Sequence, residues 1–96
     1  MARAPAVPAS WHPTAYNLAE LSAVRAVAAG TADEFAQRRA IKWIIEKAAG
    51  TYEPSYRGDA GAETFHAEGR RYVGMQIVKL LNMPADVLEA LRKADV

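Results

Sequence analysis

Residues 64–82 read TFHAEGRRYVGMQIVKLLN and combine helical periodicity with the absence of proline. At about 100° per residue, their apolar side chains cover more than half of the helix circumference. An arc of that width is typical of a helix that packs against neighbours on two sides. Each internal glycine lowers helix stability by about 0.5–1 kcal/mol, so Gly69 and Gly74 indicate close contact with another helix. We therefore predict a central helix over these residues.

The composition describes one domain with a modest core. The chain has 96 residues, of which 51% are hydrophobic, and this fraction excludes wholesale disorder. The chain has twelve basic and eleven acidic residues, which gives a net charge of +1. Most nucleic-acid binders have a larger excess of basic residues. The absence of cysteine excludes disulfides and thiolate metal sites.

The sequence predicts no membrane span, and its first ten residues do not resemble a signal peptide. No apolar run approaches the roughly 18 residues that a span needs, and Pro5 and Pro8 interrupt the first ten residues. We expect residues 1–13 to form an extended, proline- and alanine-rich arm, which is either a disordered tail or a segment that orders against a neighbouring subunit. Trp11 could staple this arm to the first helix.

Periodicity and end signals predict helices over the remainder, residues 14–96, as a single helical domain. A first helix is expected from Thr14, as N-cap, to Ala29, with Gly30 ending it. The segment 31–34 reads TADE and matches a capping box between Thr31 and Glu34, which starts a second helix that ends near residue 49.

A proline and a loop complete this outline. Pro84 suits the first position of a last, amphipathic helix, which we expect to dock onto the others. Residues 50–62 read GTYEPSYRGDAGA and form a long loop before the central helix. The predicted fold class is all-α, a small bundle of about four helices with an extended arm and this long loop.

Four aromatic residues are candidate interface residues. Trp43 lies beside the apolar stripe of the second helix, either at the rim of the core or as an interface anchor. Tyr52 and Tyr56 are expected to pin the loop onto the helices, with partner binding as the less favoured alternative. Trp11 completes the set.

Catalytic and metal-binding patterns are absent from the sequence. The two histidines lie far apart, without the spacing of metal ligands. The sequence contains neither the lysine-bearing glycine loop of phosphate binders nor a serine elbow. We therefore expect no enzyme activity, cofactor or metal.

Charged residues on the central helix suggest a structural clamp. His66 and Arg70 lie along the wide apolar arc, and a guanidinium group in that position requires acceptors. We expect these acceptors to be a carboxylate (of Glu20, Glu34, Glu46 or Asp59) or loop carbonyl groups. The clamp would hold the loop over the helix; the alternative is an arginine that binds a partner. Arg71 is expected to face outward and to pair with Glu68.

A nucleic-acid interface is the less favoured use of the basic residues. It would combine Trp43 with the cations Arg38, Arg39, Lys42, Arg70 and Arg71. Acidic residues in the same neighbourhoods oppose it, namely Glu34, Glu46 and Glu68.

The segment from Phe65 to Gly74, FHAEGRRYVG, resembles the F-x-x-E-G-R-R-x-V-G signature of a protein family. This small helical family occurs in tailed bacteriophages and is named after a protein of a Bordetella phage. The preceding loop is also similar, through the groups Gly50-Thr51-Tyr52, Ser55-Tyr56 and Gly58-Asp59. The similarity covers residues 34–81, about half of the chain. It implies a phage gene product encoded among head and packaging genes, with no catalytic residues.

The sequence and the resemblance together favour a non-enzymatic virion protein. It would act through protein–protein contacts in the head, portal or tail, with other virion proteins or further copies of itself as partners. Assembly would take place in the host cytoplasm. The alternative is an intracellular phage accessory factor that binds DNA or a host protein.

Overall fold

The computed structural model describes residues 13–95, which contain four α-helices. They are α1 (Leu18–Ala29), α2 (Glu34–Trp43), α3 (Gly61–Leu81) and α4 (Ala85–Ala94). A π-helical turn, Ile44–Ala48, continues α2 without a break. These residues include no strand, which confirms the all-α class. The expected central helix is α3, which begins three residues earlier than predicted.

The first helix begins at a different cap from the one expected. Asn17, not Thr14, is the N-cap of α1: its Oδ1 accepts the N–H of Glu20 at 2.8 Å. The Glu20 carboxylate in turn accepts the N–H of Asn17 at 3.0 Å. This reciprocal capping box satisfies two orphan donors, whereas a single threonine hydroxyl satisfies one.

The capping box expected at Thr31 is also wrong. Asp33 is the N-cap of α2 and accepts the N–H of Ala36 at 2.8 Å. Thr31 instead donates its hydroxyl to the carbonyl of Ala26. Gly30, at φ 74°, ends α1 in the left-handed conformation that favours glycine. The chain thus reverses within four residues, so that α1 and α2 form a helical hairpin.

Small side chains and two polar contacts hold this hairpin together. The buried residues of the two helices are Ala23 and Ala40, whose size permits close approach. The Trp43 indole N–H donates to the carbonyl of Ala15 at 3.0 Å and so fixes the segment that leads into α1. Lys47 Nζ lies 2.9 Å from the Glu20 carboxylate, and this hydrogen bond lowers the pKa of Glu20.

A tight contact joins α3 to the turn at the end of the hairpin. We call residues 44–51 the corner: they comprise the π-helical turn and the bend that follows it, where Gly50 has φ 60°. Thr51 is buried there and donates its hydroxyl to the carbonyl of Ile45 at 2.7 Å. A β-carbon at Gly74 of α3 would overlap Thr51 Oγ1 and lie 2.9 Å from Ala49 Cβ. Only glycine at position 74 allows this approach.

Among the described helical elements, the π-helical turn of the corner is the one that packs against α3. The expectation that α3 packs on two sides is therefore wrong. The expected docking of the last helix is wrong as well, since α4 contacts none of the other described helices. Its N-cap is Pro84, and its apolar residues remain exposed. The 21-residue α3 meets the corner on one side only, so its C-terminal end and α4 extend beyond the hairpin.

The resulting shape is open for a chain of this size. The radius of gyration is 17.1 Å, whereas a compact domain of this length has about 12–13 Å. Of the predicted N-terminal arm, residues 1–12 lie outside the described residues.

Gly74→Ala should destabilise the protein by about 2–3 kcal/mol, because the new methyl group would push against a buried, hydrogen-bonded threonine. Urea denaturation followed by circular dichroism measures this change. Gly61→Ala is the matched control, since a β-carbon there meets no atom within 4 Å; its effect should stay within about 0.5 kcal/mol. Equal stability of the two variants would contradict the close contact.

Candidate functional site

Arg70 on α3 binds the carbonyl groups at the end of the π-helical turn. Its Nε and Nη2 donate to the carbonyl of Ala48 at 3.1 and 2.8 Å, and Nη2 also donates to the carbonyl of Lys47 at 3.2 Å. The last carbonyls of a helix lack intrahelical donors and carry partial negative charge. A guanidinium group therefore satisfies them with charge-assisted hydrogen bonds. These carbonyl groups belong to the end of the π-helical turn, whereas the sequence predicted a carboxylate or carbonyl groups of the loop at residues 50–62. Arg70 therefore holds the end of the second helix against α3, and the expectation that it holds the loop there is wrong.

Arg71 binds the other side of the corner, so the expectation that it faces outward is wrong. Its Nε donates to the carbonyl of Thr51 at 3.1 Å, and the side chain is partly buried. The expected pairing with Glu68 is present, with 3.5 Å between Nη1 and Oε1. On the helical wheel, Arg70 and Arg71 flank the line that passes through Gly74. The two arginines therefore hold the corner from both sides of the glycine contact.

Glu68 contacts the long loop, whereas His66 lies on the exposed surface of α3. Glu68 accepts a hydrogen bond from the hydroxyl of Ser55 and thereby links Arg71 to the long loop. His66 is exposed and lies one turn before Arg70. We use the term clamp for Glu68, Arg70, Arg71 and Gly74, the α3 residues that contact the corner and loop.

Arg57 also organises the loop, although the sequence did not single it out. Its side chain is only 9% exposed, and its Nε lies 3.6 Å from the Glu63 carboxylate. Its main-chain N–H donates to Thr64 Oγ1 at 2.9 Å, and its Nη1 donates to the carbonyl of Pro54. These contacts tie the loop to the first turn of α3. Their only signal in the sequence is an arginine a few residues before Glu63, which is too common a pattern to predict such a tie.

The candidate aromatic residues do not gather at one place. Trp43 is partly buried at the end of α2, where its indole holds the segment before α1. Tyr52 and Tyr56 are exposed, so the expectation that they pin the loop is wrong. Polar contacts of Arg57 and Ser55 hold the loop instead. Trp11 lies outside the described residues.

The side of α3 that points away from the corner carries a row of large, exposed apolar side chains. Phe65 is 77% exposed, Tyr72 64%, Val73 55% and Leu80 68%. Gly69 lies among them, and a β-carbon there would meet no atom within 4 Å. No contact within the described chain therefore accounts for this glycine. We call this surface the outer face of α3; its residues are Phe65, Gly69, Tyr72, Val73, Gln76 and Leu80.

The basic residues proposed for nucleic-acid binding do not form one patch. Arg70 and Arg71 donate to corner carbonyls, and exposed Arg38 lies 3.9 Å from Glu34. Arg39 and Lys42 line a cleft that also contains Glu20 and Glu46, together with Asn17, Trp43 and Lys47. Basic and acidic groups are therefore mixed on the surface of α2.

Residues 13–95 contain no group of histidine, aspartate and glutamate side chains arranged to hold a metal ion. Among the described helices, none has the length and apolarity required to cross a bilayer.

Comparisons with protein-family models, curated proteins and solved structures gave no match. The resemblance of residues 65–74 to the phage family therefore stays a prediction.

Arg70→Ala should lower the free energy of unfolding by about 2–3 kcal/mol, because the corner carbonyls would lose charged donors in a partly buried setting. Chemical denaturation measures the loss. Arg70→Lys should recover only part of it, since an ammonium group cannot reproduce the planar, multidentate contact.

Arg38→Ala is the matched control for this experiment, because Arg38 is exposed and its ion pair with Glu34 is long. Its effect should be within about 0.5 kcal/mol. An Arg70→Ala effect as small as that of Arg38→Ala would contradict the structural role of Arg70.

Proposed function

We propose that the chain is a non-enzymatic structural protein of a bacteriophage particle, which acts through protein–protein contacts in the head, portal or tail. The outer face of α3 is the observation that carries this proposal. Four large apolar side chains stand in a row on one helix surface, each more than half exposed. Contiguous exposed apolar surface of this kind marks protein interaction sites.

The opposite side of α3 is attached to the corner. The clamp fixes α3 to the corner through Gly74 and the two arginines, so the outer face is presented on a supported element. Little of the binding free energy would then be lost in ordering the helix. α4 adds further exposed apolar residues, namely Val87, Leu88 and Leu91.

The sequence resemblance supports the assignment to a phage. Its signature comprises two kinds of residue: Glu68, Arg70, Arg71 and Gly74 form the clamp, whereas Phe65, Gly69 and Val73 lie on the outer face. A single motif thus combines the residues that support the helix with residues that face outward. Protein–protein contact accounts for the second group.

The accessory-factor alternative receives less support from the surface. DNA binding would require exposed cations in excess of acids on one surface, whereas the cations of α2 are interleaved with carboxylates. A host protein could occupy the outer face, so the location of the chain distinguishes this version from a virion component.

Mass spectrometry of gradient-purified phage particles tests the proposal, with copy number measured against the major capsid protein. A virion component should appear at a reproducible stoichiometry in particles. A chain abundant in infected cells but absent from particles would overturn the structural role and favour the accessory factor. A non-structural phage protein from the same lysate serves as the control for carry-over.

A further inference from the structure

We infer that a second copy of this chain covers the outer face of α3, with the two α3 helices antiparallel and the two-fold axis between Tyr72 and Val73. This inference deepens the proposed function, on which it rests for its biological sense. It names one partner for the exposed surface, the helix that the partner uses and the orientation of the pair.

The accessible surface of the chain exceeds that of a compact monomer by the area of an interface. The total is 7657 Å² for a mass of 10.4 kDa, whereas a compact monomer of that mass exposes about 5,400 Å². Even if residues 1–12 are granted the full surface of an extended chain, about 1,900 Å², the rest exceeds a compact domain by about 900 Å². A stable dimer buries about 800 Å² on each partner.

An antiparallel pair matches large residues with large ones and the glycine with a flexible side chain. With the axis between Tyr72 and Val73, Phe65 of one copy lies opposite Leu80 of the other. Gly69 then lies opposite Gln76, whose long side chain can fill the space above the glycine. In a parallel pair, Gly69 would lie opposite Gly69 between bulky neighbours and leave a gap. The side chains around that gap would lose dispersion contacts.

The charges at the border of the outer face also suit the antiparallel pair. Glu68, whose side chain is 49% exposed beside its contact with Arg71, and Lys79 are eleven residues apart. They lie within about 20° of each other on the same edge of α3. A two-fold axis perpendicular to the helices brings that edge of one copy against the same edge of the other. Glu68 then lies within about 3 Å, along the axis, of the partner copy's Lys79. Opposite charges therefore meet across the border, and the two helix dipoles are also opposed.

Sedimentation equilibrium of the purified 96-residue chain tests the association. We expect twice the 10.4 kDa chain mass. Phe65→Glu should raise the dimer Kd at least tenfold, roughly the effect of removing a hot-spot residue, and Leu80→Glu should act in the same direction. Both side chains are exposed in the single chain, so circular dichroism should show unchanged helix content. Phe35→Glu, at a 70% exposed position of α2, is the matched control and should leave the Kd unchanged.

Single cysteines test the orientation, because the chain has no cysteine of its own. Position 73 lies beside the proposed axis, so Val73→Cys should form a covalent dimer on oxidation. Position 80 would lie about 22 Å from its counterpart, too far for a disulfide, so Leu80→Cys should not. Covalent dimers from both variants would overturn the antiparallel arrangement.

A monomeric mass at high protein concentration, or a dimer indifferent to both glutamate variants, would overturn the inference. The outer face would then be left to a different protein. These measurements use the purified chain alone, whereas the proposed function is tested by the content of particles. Failure of one is therefore distinguishable from failure of the other.

Discussion

The close contact between Gly74 and the buried Thr51 is the constraint on which the rest of the structure depends. Because position 74 has no β-carbon, the corner can lie directly on α3. That approach brings the carbonyl groups of the corner within reach of Arg70 and Arg71. The hairpin of α1 and α2 is thereby attached to the long helix, with few large side chains buried between them. The close approach at Gly74 and the hydrogen bonds of the two arginines join these elements, whereas a large apolar core does so in many other domains.

This mode of attachment leaves most of the apolar surface of α3 free. The corner covers one side of the helix, and the outer face and α4 remain exposed. Burial of these apolar side chains against another protein would be favourable, because it would remove them from water. No other described helix lies close enough to cover them. The proposed contacts with other proteins and the proposed antiparallel dimer both rest on this division of α3 into a supported side and an open side.

Much of the fold could be predicted from the sequence, but the partners of individual groups could not. Periodicity, Gly30 and Pro84 placed the helices, because these signals act locally. The caps at Thr14 and Thr31 were wrong because Asn17 and Asp33 offer competing oxygens within a few residues. The apolar arc of α3 is present as a pattern, but the described helices pack on only one side of it. Periodicity shows which residues share a helix face and does not show what contacts that face. The acceptors of Arg70 are carbonyl groups, which every residue carries and no motif identifies.

Native-state hydrogen exchange tests most directly whether the glycine contact joins the corner and α3 into one cooperative unit. Amides of residues 45–51 and 70–78 should then exchange with the same free energy of opening, because opening the contact exposes both segments. Amides of α4 should exchange with a lower free energy, as α4 has no packed neighbour in the described chain. Exchange of the corner at a free energy well below that of residues 70–78 would contradict the account.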